Sequence, residues 1–141
     1  MTTAVARAVA GVPAQAVTVR SARRLPAVPA VQAHLDAVLV AMVESALRRS
    51  PPGARVLVRT DLATGRPGAP DRIRVHVADR GPDLAGEAKH WLLAGPGGPA
   101  ELASAAGRLS TAGGGTLSAG DNPGGGLVLT LALTTAARPG R

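Results

Sequence analysis

The longest regular pattern of apolar residues in this chain predicts an amphipathic helix. Between residues 31 and 49, apolar side chains recur every three or four positions over about five turns, which is the spacing of one helix face. The segment "SPPG" that follows ends the helix, because proline cannot continue it. We expect this face to pack on a sheet. Its members are Val31, Leu35, Val38, Leu39, Met42, Val43, Ala46 and Leu47.

Alternating apolar and polar positions predict five short strands. In "RIRVHVAD" (72–79), Ile73, Val75 and Val77 are expected to face the core, with Arg72, Arg74 and His76 outward. The other strands are predicted over residues 16–20, 54–60, 115–119 and 127–133, and a second helix over residues 99–112. This order predicts an α/β (α+β) fold, a two-layer sandwich in which helices cover one face of a mixed, mainly antiparallel sheet.

The 141 residues are enough for about one domain. We expect the folded domain to span residues 16–134, after a flexible lead-in over residues 1–15 and before a tail over residues 135–141. No run approaches the ~20 apolar residues of a transmembrane helix, and no basic segment begins a signal peptide. Together with the absence of cysteine, these features favour a cytoplasmic location.

The charge balance is basic, with 16 Lys and Arg against 9 Asp and Glu and a formal net charge of +7. The arginines are spread over every segment, and Trp91 is the only aromatic residue. Binding of single-stranded nucleic acid relies on stacking aromatic side chains, and duplex binding on an element that enters a groove. The sequence therefore does not favour a nucleic acid as partner. His34, His76 and His90 share no spacing typical of a metal site.

Three stretches of the chain resemble conserved segments of one protein family, in the family's order. They are "LDAVLVAMVESALRRSPPGARVLV", "VHVADRGPDL" and "AGRLSTAGGGTLSAGDNPGGGLVLTLAL". They look like the first conserved helix, the first glycine box (Asp-x-Gly-x-Gly) and the last helix with its closing hairpin of the ATP-binding domain of sensor histidine kinases. The resemblance covers about residues 15–135. It implies the Bergerat fold, shared with gyrase, Hsp90 and MutL.

The resemblance implies an adenine site at the end of the strand over residues 72–79. In the family a carboxylate at this place hydrogen-bonds the adenine amino group, and Asp79 occupies it; Gly81 matches the middle glycine of the box. From the residues alone, an aspartate that caps its own turn is the favoured interpretation of Asp79, and the resemblance is what favours the adenine site. If the site is empty, we expect its carboxylate to be satisfied by water, by Ser45 or by a turn amide, because burial without a donor is costly.

The helix departs from the family's catalytic pattern. The family carries two polar residues four apart on one helix face, the first catalytic and the second an Asn that holds Mg²⁺; the matching positions are Ala41 and Ser45. Ala41 supplies neither a base nor a ligand, and Ser45 supplies only a neutral hydroxyl, whereas Mg²⁺ prefers carboxylate, amide or phosphate oxygens. Glu44 is expected to be a solvated surface charge. We therefore predict no catalytic residue and no magnesium site.

The phosphate end of the site departs as well. Asp83 stands at the third glycine of the first box, where its charge opposes phosphates. The second glycine box aligns with residues 98–102 and keeps only Gly98, while Pro99 removes an amide and Glu101 adds an anion. ATP binding is expected to be weak or lost, with adenosine bound at least as well. The predicted cofactor-binding residues are Asp79, Gly81, Ser45 and Gly98.

Three functions are compatible with these residues. The first is a stand-alone histidine-kinase-like domain with degraded nucleotide and magnesium sites, acting as a regulatory or interaction module with a protein partner in bacterial signal transduction. The second is a functional ATP-binding subunit that phosphorylates a partner histidine in trans. The third is a basic binding module unrelated to ATP. The sequence favours the first through its substituted site residues, and it does not define the oligomeric state.

Overall fold

The computed structural model describes residues 2–11, 16–20, 32–68, 71–81 and 115–135. The predicted helix over residues 99–112 lies outside these ranges, as does the predicted tail beyond residue 135. The described elements are α1 (Thr2–Val9), β1 (Val17–Arg20), α2 (Gln32–Arg49), β2 (Val56–Ala63), β3 (Arg72–Ala78), β4 (Gly115–Asp121) and β5 (Leu127–Thr134).

The five strands form one mixed sheet in the order β1-β2-β3-β5-β4. β1 pairs with β2 in parallel, which the intervening helix α2 allows because a parallel pair needs a crossover connection. The remaining pairs, β2 with β3, β3 with β5 and β4 with β5, are antiparallel. The mixed, mainly antiparallel sheet predicted from the sequence is confirmed.

Helix α2 covers one face of this sheet and supplies much of the core. Leu35, Leu39, Met42 and Val43 are all buried, as the helical spacing predicts. The strands contribute aliphatic side chains from alternate positions, because successive residues of a strand point to opposite faces. The strand residues of the core are Val56, Val58, Ile73, Val75, Val77, Leu127, Leu129, Leu131 and Leu133.

Helix α1 packs against α2 and differs from the flexible lead-in expected for residues 1–15. Ala4 and Val5 belong to the core, and Arg7 Nη2 donates to Asp36 Oδ1 at 3.2 Å. A helix of 8 residues is marginal by itself, so packing rather than intrinsic propensity stabilises it. That dependence explains why its local sequence gave little signal.

Strand β2 is also longer than predicted. It continues from residue 60 to Ala63 because Asp61, Leu62 and Ala63 pair with residues 72–74 of β3.

No helix in the described ranges is long and apolar enough to cross a membrane.

Candidate functional site

Asp79 lies immediately after β3 and is hydrogen-bonded to the hairpin of β4 and β5. Its side chain and backbone together are only 1% exposed. Its backbone amide donates to the Leu127 carbonyl at 2.9 Å, and Asn122 Nδ2 donates to its carbonyl oxygen at 2.7 Å. Asp79 is therefore hydrogen-bonded to the hairpin through both its backbone amide and its backbone carbonyl, which fixes the direction of the carboxylate.

Both oxygens of the Asp79 carboxylate accept hydrogen bonds. Among the described residues, Oδ1 accepts from the amides of Gly81 at 2.9 Å and Leu127 at 3.0 Å, and Oδ2 accepts from Arg49 Nε at 2.9 Å. The Gly81 amide is the turn donor that the sequence anticipated, whereas Ser45 is not among the hydrogen-bond partners. Because the two side chains of the ion pair are 2% and 16% exposed, this is a buried, charge-assisted interaction.

Arg49 is the site residue that sequence reasoning missed. It is the last residue of α2, where an arginine is adequately explained by its favourable interaction with the negative end of the helix dipole. A signal was nevertheless present, because Arg49 follows Ser45 by four positions and such residues lie on the same helix face. Any residue facing the Asp79 site from the end of α2 was therefore a candidate partner for that carboxylate.

Two glycines permit the close packing around Asp79. A Cβ on Gly81 would collide with the carbonyl oxygen of Arg49, so this glycine allows the turn to approach the end of α2. Gly126 has a φ of 105°, and a Cβ there would collide with the carbonyl oxygen of Asp79. The glycine of the Asp-x-Gly pattern therefore has a packing role in this chain independent of any ligand.

The α2 positions that were predicted to face this site offer little chemistry. Ala41 and Ser45 are 5% and 2% exposed, whereas the Glu44 side chain is 56% exposed, in line with the solvated charge that was predicted. The described residues include no group of three or more His, Asp or Glu side chains that could hold a metal ion. One neutral hydroxyl does not fit the ligand set of Mg²⁺, and the loss of the magnesium site stays a prediction.

The phosphate end of the predicted site lies outside the described residues. Gly98, Asp83 and Glu101 all belong to the undescribed range 82–114. The structure thus brings together Asp79, Gly81 and Arg49 at the end of α2, and the roles of Ser45 and the remaining residues stay predictions.

A second polar cluster lies on the face of the sheet opposite α2. His76 Nδ1 lies 3.0 Å from Thr130 Oγ1, and His76 Nε2 lies 3.2 Å from Asp61 Oδ2. Asp61 Oδ1 also accepts from Arg74 Nε at 2.7 Å. These contacts join three neighbouring strands through one hydrogen-bonded chain.

The charges of this cluster shift two pKa values. Burial lowers the pKa of His76; Asp61 opposes the shift, and the positive charges of Arg59 and Arg74 add to it. Partial burial raises the pKa of Asp61, but its hydrogen bond and ion pair with Arg74, followed by the contribution of His76, outweigh that effect and lower the pKa overall. At neutral pH the cluster therefore combines an ionised Asp61 with an uncharged His76.

Comparison with known proteins shows the fold. No protein-family model and no curated protein matches the chain. The structure is similar to that of the mycobacterial sensor histidine kinase MprB (TM-score 0.76, 19% identity, 98% of this chain and 97% of that chain). It is also similar to the catalytic domain of histidine kinase ThkA (TM-score 0.77, 14% identity, 98% and 95%). A match to full-length ShkA in complex with AMPPNP has 25% identity and a TM-score of 0.66, covering 88% of this chain and 27% of that chain.

These similarities extend over nearly the whole chain. The chain has the fold of histidine kinase catalytic domains, which confirms the fold that the three sequence motifs implied.

Proposed function

We propose that this chain is a histidine-kinase-type ATP-binding-fold domain that has lost productive nucleotide binding. It acts as a regulatory or interaction module, with a protein partner, in cytoplasmic bacterial signalling. The observation that carries this proposal is the state of Asp79, the residue that matches the adenine-binding carboxylate of the family. In this chain that carboxylate already has a cationic partner.

The hydrogen-bonding capacity of Asp79 supports the proposal quantitatively. An ionised carboxylate has roughly four acceptor positions, and three are taken by the Gly81 amide, the Leu127 amide and Arg49 Nε. The side chain is 2% exposed, which leaves no open approach to the fourth position. An adenine amino group would have to displace Arg49 from Asp79. The buried guanidinium would then lose this counter-charge, and this cost opposes binding.

The neighbouring helix face gives further support. Catalysis on the family's pattern would need a base at position 41 and a metal-holding amide at position 45, and the chain has Ala41 and Ser45. Both positions are buried, so neither side chain reaches solvent to recruit a ligand from outside the site. The fold is thus retained while the groups that perform the family's chemistry are replaced.

Isothermal titration calorimetry with Mg-ATP, and with adenosine, tests the proposal. We expect the wild-type chain to show no saturable heat with Mg-ATP at micromolar concentrations. A variant that combines Ala41→Asn, Ser45→Asn and Asp83→Gly with Arg49→Met should gain measurable affinity for Mg-ATP. The asparagines restore polar groups on the helix, the glycine removes a charge that opposes phosphates, and loss of Arg49 frees the Asp79 carboxylate. A micromolar, Mg²⁺-dependent complex with the wild-type chain would contradict the proposal.

The alternative function is a kinase subunit that phosphorylates a partner histidine in trans. The position of Asp79 at the end of β3 is the feature that favours it. This alternative requires Arg49 to leave Asp79 when the nucleotide enters. Tight Mg-ATP binding together with transfer of the terminal phosphate to a histidine-containing acceptor protein would establish it.

A further inference from the structure

The face of the sheet opposite α2 carries a concentration of arginines that is not apparent along the sequence. The strand register places Arg20 opposite Arg59, Arg59 opposite His76, and His76 opposite Thr130. Residues directly opposite each other in neighbouring strands share one face of the sheet. Folding therefore assembles one row across four strands from residues that are distant in the sequence.

Further arginines extend this row into a basic face. Arg72 and Arg74 point to the same side of β3 as His76, since they alternate with the buried Ile73 and Val75. Arg55 precedes β2 and donates from Nη1 to Thr18 Oγ1 at 3.1 Å. We define the basic sheet face by its five arginines, all of them exposed, and by His76 and Thr130, which continue the row on β3 and β5. These arginines are Arg20, Arg55, Arg59, Arg72 and Arg74.

Among the described residues, most of this positive charge has no counter-charge. On the described strands, Asp61 is the carboxylate of this face, and it pairs with Arg74 and His76. Within the described part of the chain, Arg20, Arg59 and Arg72 have no carboxylate within ion-pairing distance. Several exposed guanidinium groups on a flat surface concentrate positive potential and favour an anionic partner.

We propose that the basic sheet face is the docking surface for an acidic segment of a protein partner. This inference deepens the proposed function, on which it rests, by naming the surface and the chemistry of the partner. Arginine binds carboxylates through two parallel hydrogen bonds, and it is enriched in protein interfaces. Arg72 and Arg74 are two positions apart on β3, and an extended acidic segment presents alternate side chains at the same spacing, about 6.6 Å.

The composition of the face favours a protein over a nucleic acid. Beyond β3, on β5 and β4, the same face of the sheet carries Thr130, Thr134, Ala132 and Ser118, none of which is aromatic. The single aromatic residue of the sequence, Trp91, is not on these strands. Without aromatic side chains to stack on bases, single-stranded nucleic acid would bind through phosphates alone, with a strong dependence on salt.

Fluorescence anisotropy with a labelled oligoglutamate peptide tests the proposal on the full chain. A variant with Arg59→Gln and Arg72→Gln removes two unpaired charges from the basic sheet face. The control, Arg48→Gln with Arg66→Gln, removes the same charge from exposed positions in α2, where Arg48 Nη1 lies 4.0 Å from Glu44 Oε2, and in the loop after β2. We expect the first variant to weaken peptide binding about tenfold, because the loss of two partly exposed ion pairs has roughly that effect. The control should weaken binding less than about twofold.

Three other outcomes of the peptide experiment overturn the proposal. Equal weakening by both variants would mean that net charge alone attracts the peptide, and no peptide binding at all would mean that this face is not a docking surface. Tighter binding of an oligothymidylate, lost in the Arg59 and Arg72 variant, would assign the face to nucleic acid instead. Mg-ATP titration separates this inference from the proposed function: tight nucleotide binding with intact peptide discrimination would refute the function and leave the surface standing.

Discussion

Two carboxylate–arginine pairs of this protein have almost the same geometry and very different surroundings. Asp79 and Arg49 are joined at 2.9 Å, with side chains 2% and 16% exposed. Asp61 and Arg74 are joined at 2.7 Å, with side chains 32% and 44% exposed. The first pair lies between a helix end and a hairpin, and the second lies on the open face of the sheet. Distance alone would rank them as equals.

Their surroundings give the two pairs different consequences. Removing one member of a buried pair leaves an uncompensated charge that water does not reach, which costs about 3 to 5 kcal/mol. Removing one member of an exposed pair leaves a charge that water solvates, which costs about 1 kcal/mol or less. We therefore expect that loss of one member of the buried pair destabilises the protein more than loss of one member of the exposed pair.

The largest expected effect separates the two arginines directly. Arg49→Met should lower the free energy of unfolding by about 3 kcal/mol, because the buried Asp79 side chain loses its cationic partner. Arg74→Met is the matched control on the open face and should lower it by less than about 1 kcal/mol. Urea unfolding followed by circular dichroism measures both. Similar losses for the two variants would show that burial does not distinguish the pairs.

A smaller effect is expected from the glycine that packs on Asp79. Gly126→Ala should destabilise the protein by about 2 kcal/mol, because its φ of 105° is unfavourable for alanine and the new Cβ meets the Asp79 carbonyl. Gly120→Ala, in β4 of the same hairpin, places its Cβ in open space and should change stability by less than about 0.5 kcal/mol. Thermal unfolding measures both, and an equal loss would exclude the close contact with Asp79.

The smallest expected effect concerns the open face and pH. The pKa of His76 is lowered from 6.5 in the folded protein, so the unfolded chain takes up the proton first as the pH falls. Stability is therefore fully present above that value and decreases as the pH falls below 6.5. His76→Gln should flatten this decrease. Asp61 affects stability in a separate, lower pH range, because its pKa is lowered from 3.8 in the folded protein. An unchanged pH dependence in the variant would exclude His76 as its source.

The sequence predicted the fold well because periodicity reports burial directly. The spacing of Leu35, Leu39 and Met42 identified the helix face, and the alternation around Val75 identified the central strand. Helix α1 was missed because a short helix depends on its contact with α2 rather than on its own sequence. Local pattern is informative where each segment's own residues determine its conformation.

The sequence predicted the candidate site less completely because the site depends on contacts between distant residues. Asp79 and Gly81 were found through a local motif, but Arg49 precedes Asp79 by 30 positions and meets it only after folding. The basic sheet face was missed for the same reason, since Arg20 and Arg59 become neighbours only through the parallel pairing of β1 and β2. Arginines that are spread along the sequence are clustered on the folded surface.

The central claim is that Arg49 occupies the carboxylate that would otherwise recognise adenine. The most direct measurement is an NMR titration with adenosine that follows the Gly81 and Leu127 amides, which both donate to Asp79. In the wild-type chain we expect no saturable shift of either amide at millimolar adenosine, and in Arg49→Met we expect both to shift. Saturable shifts of both amides in the wild-type chain at millimolar or lower adenosine would contradict the account.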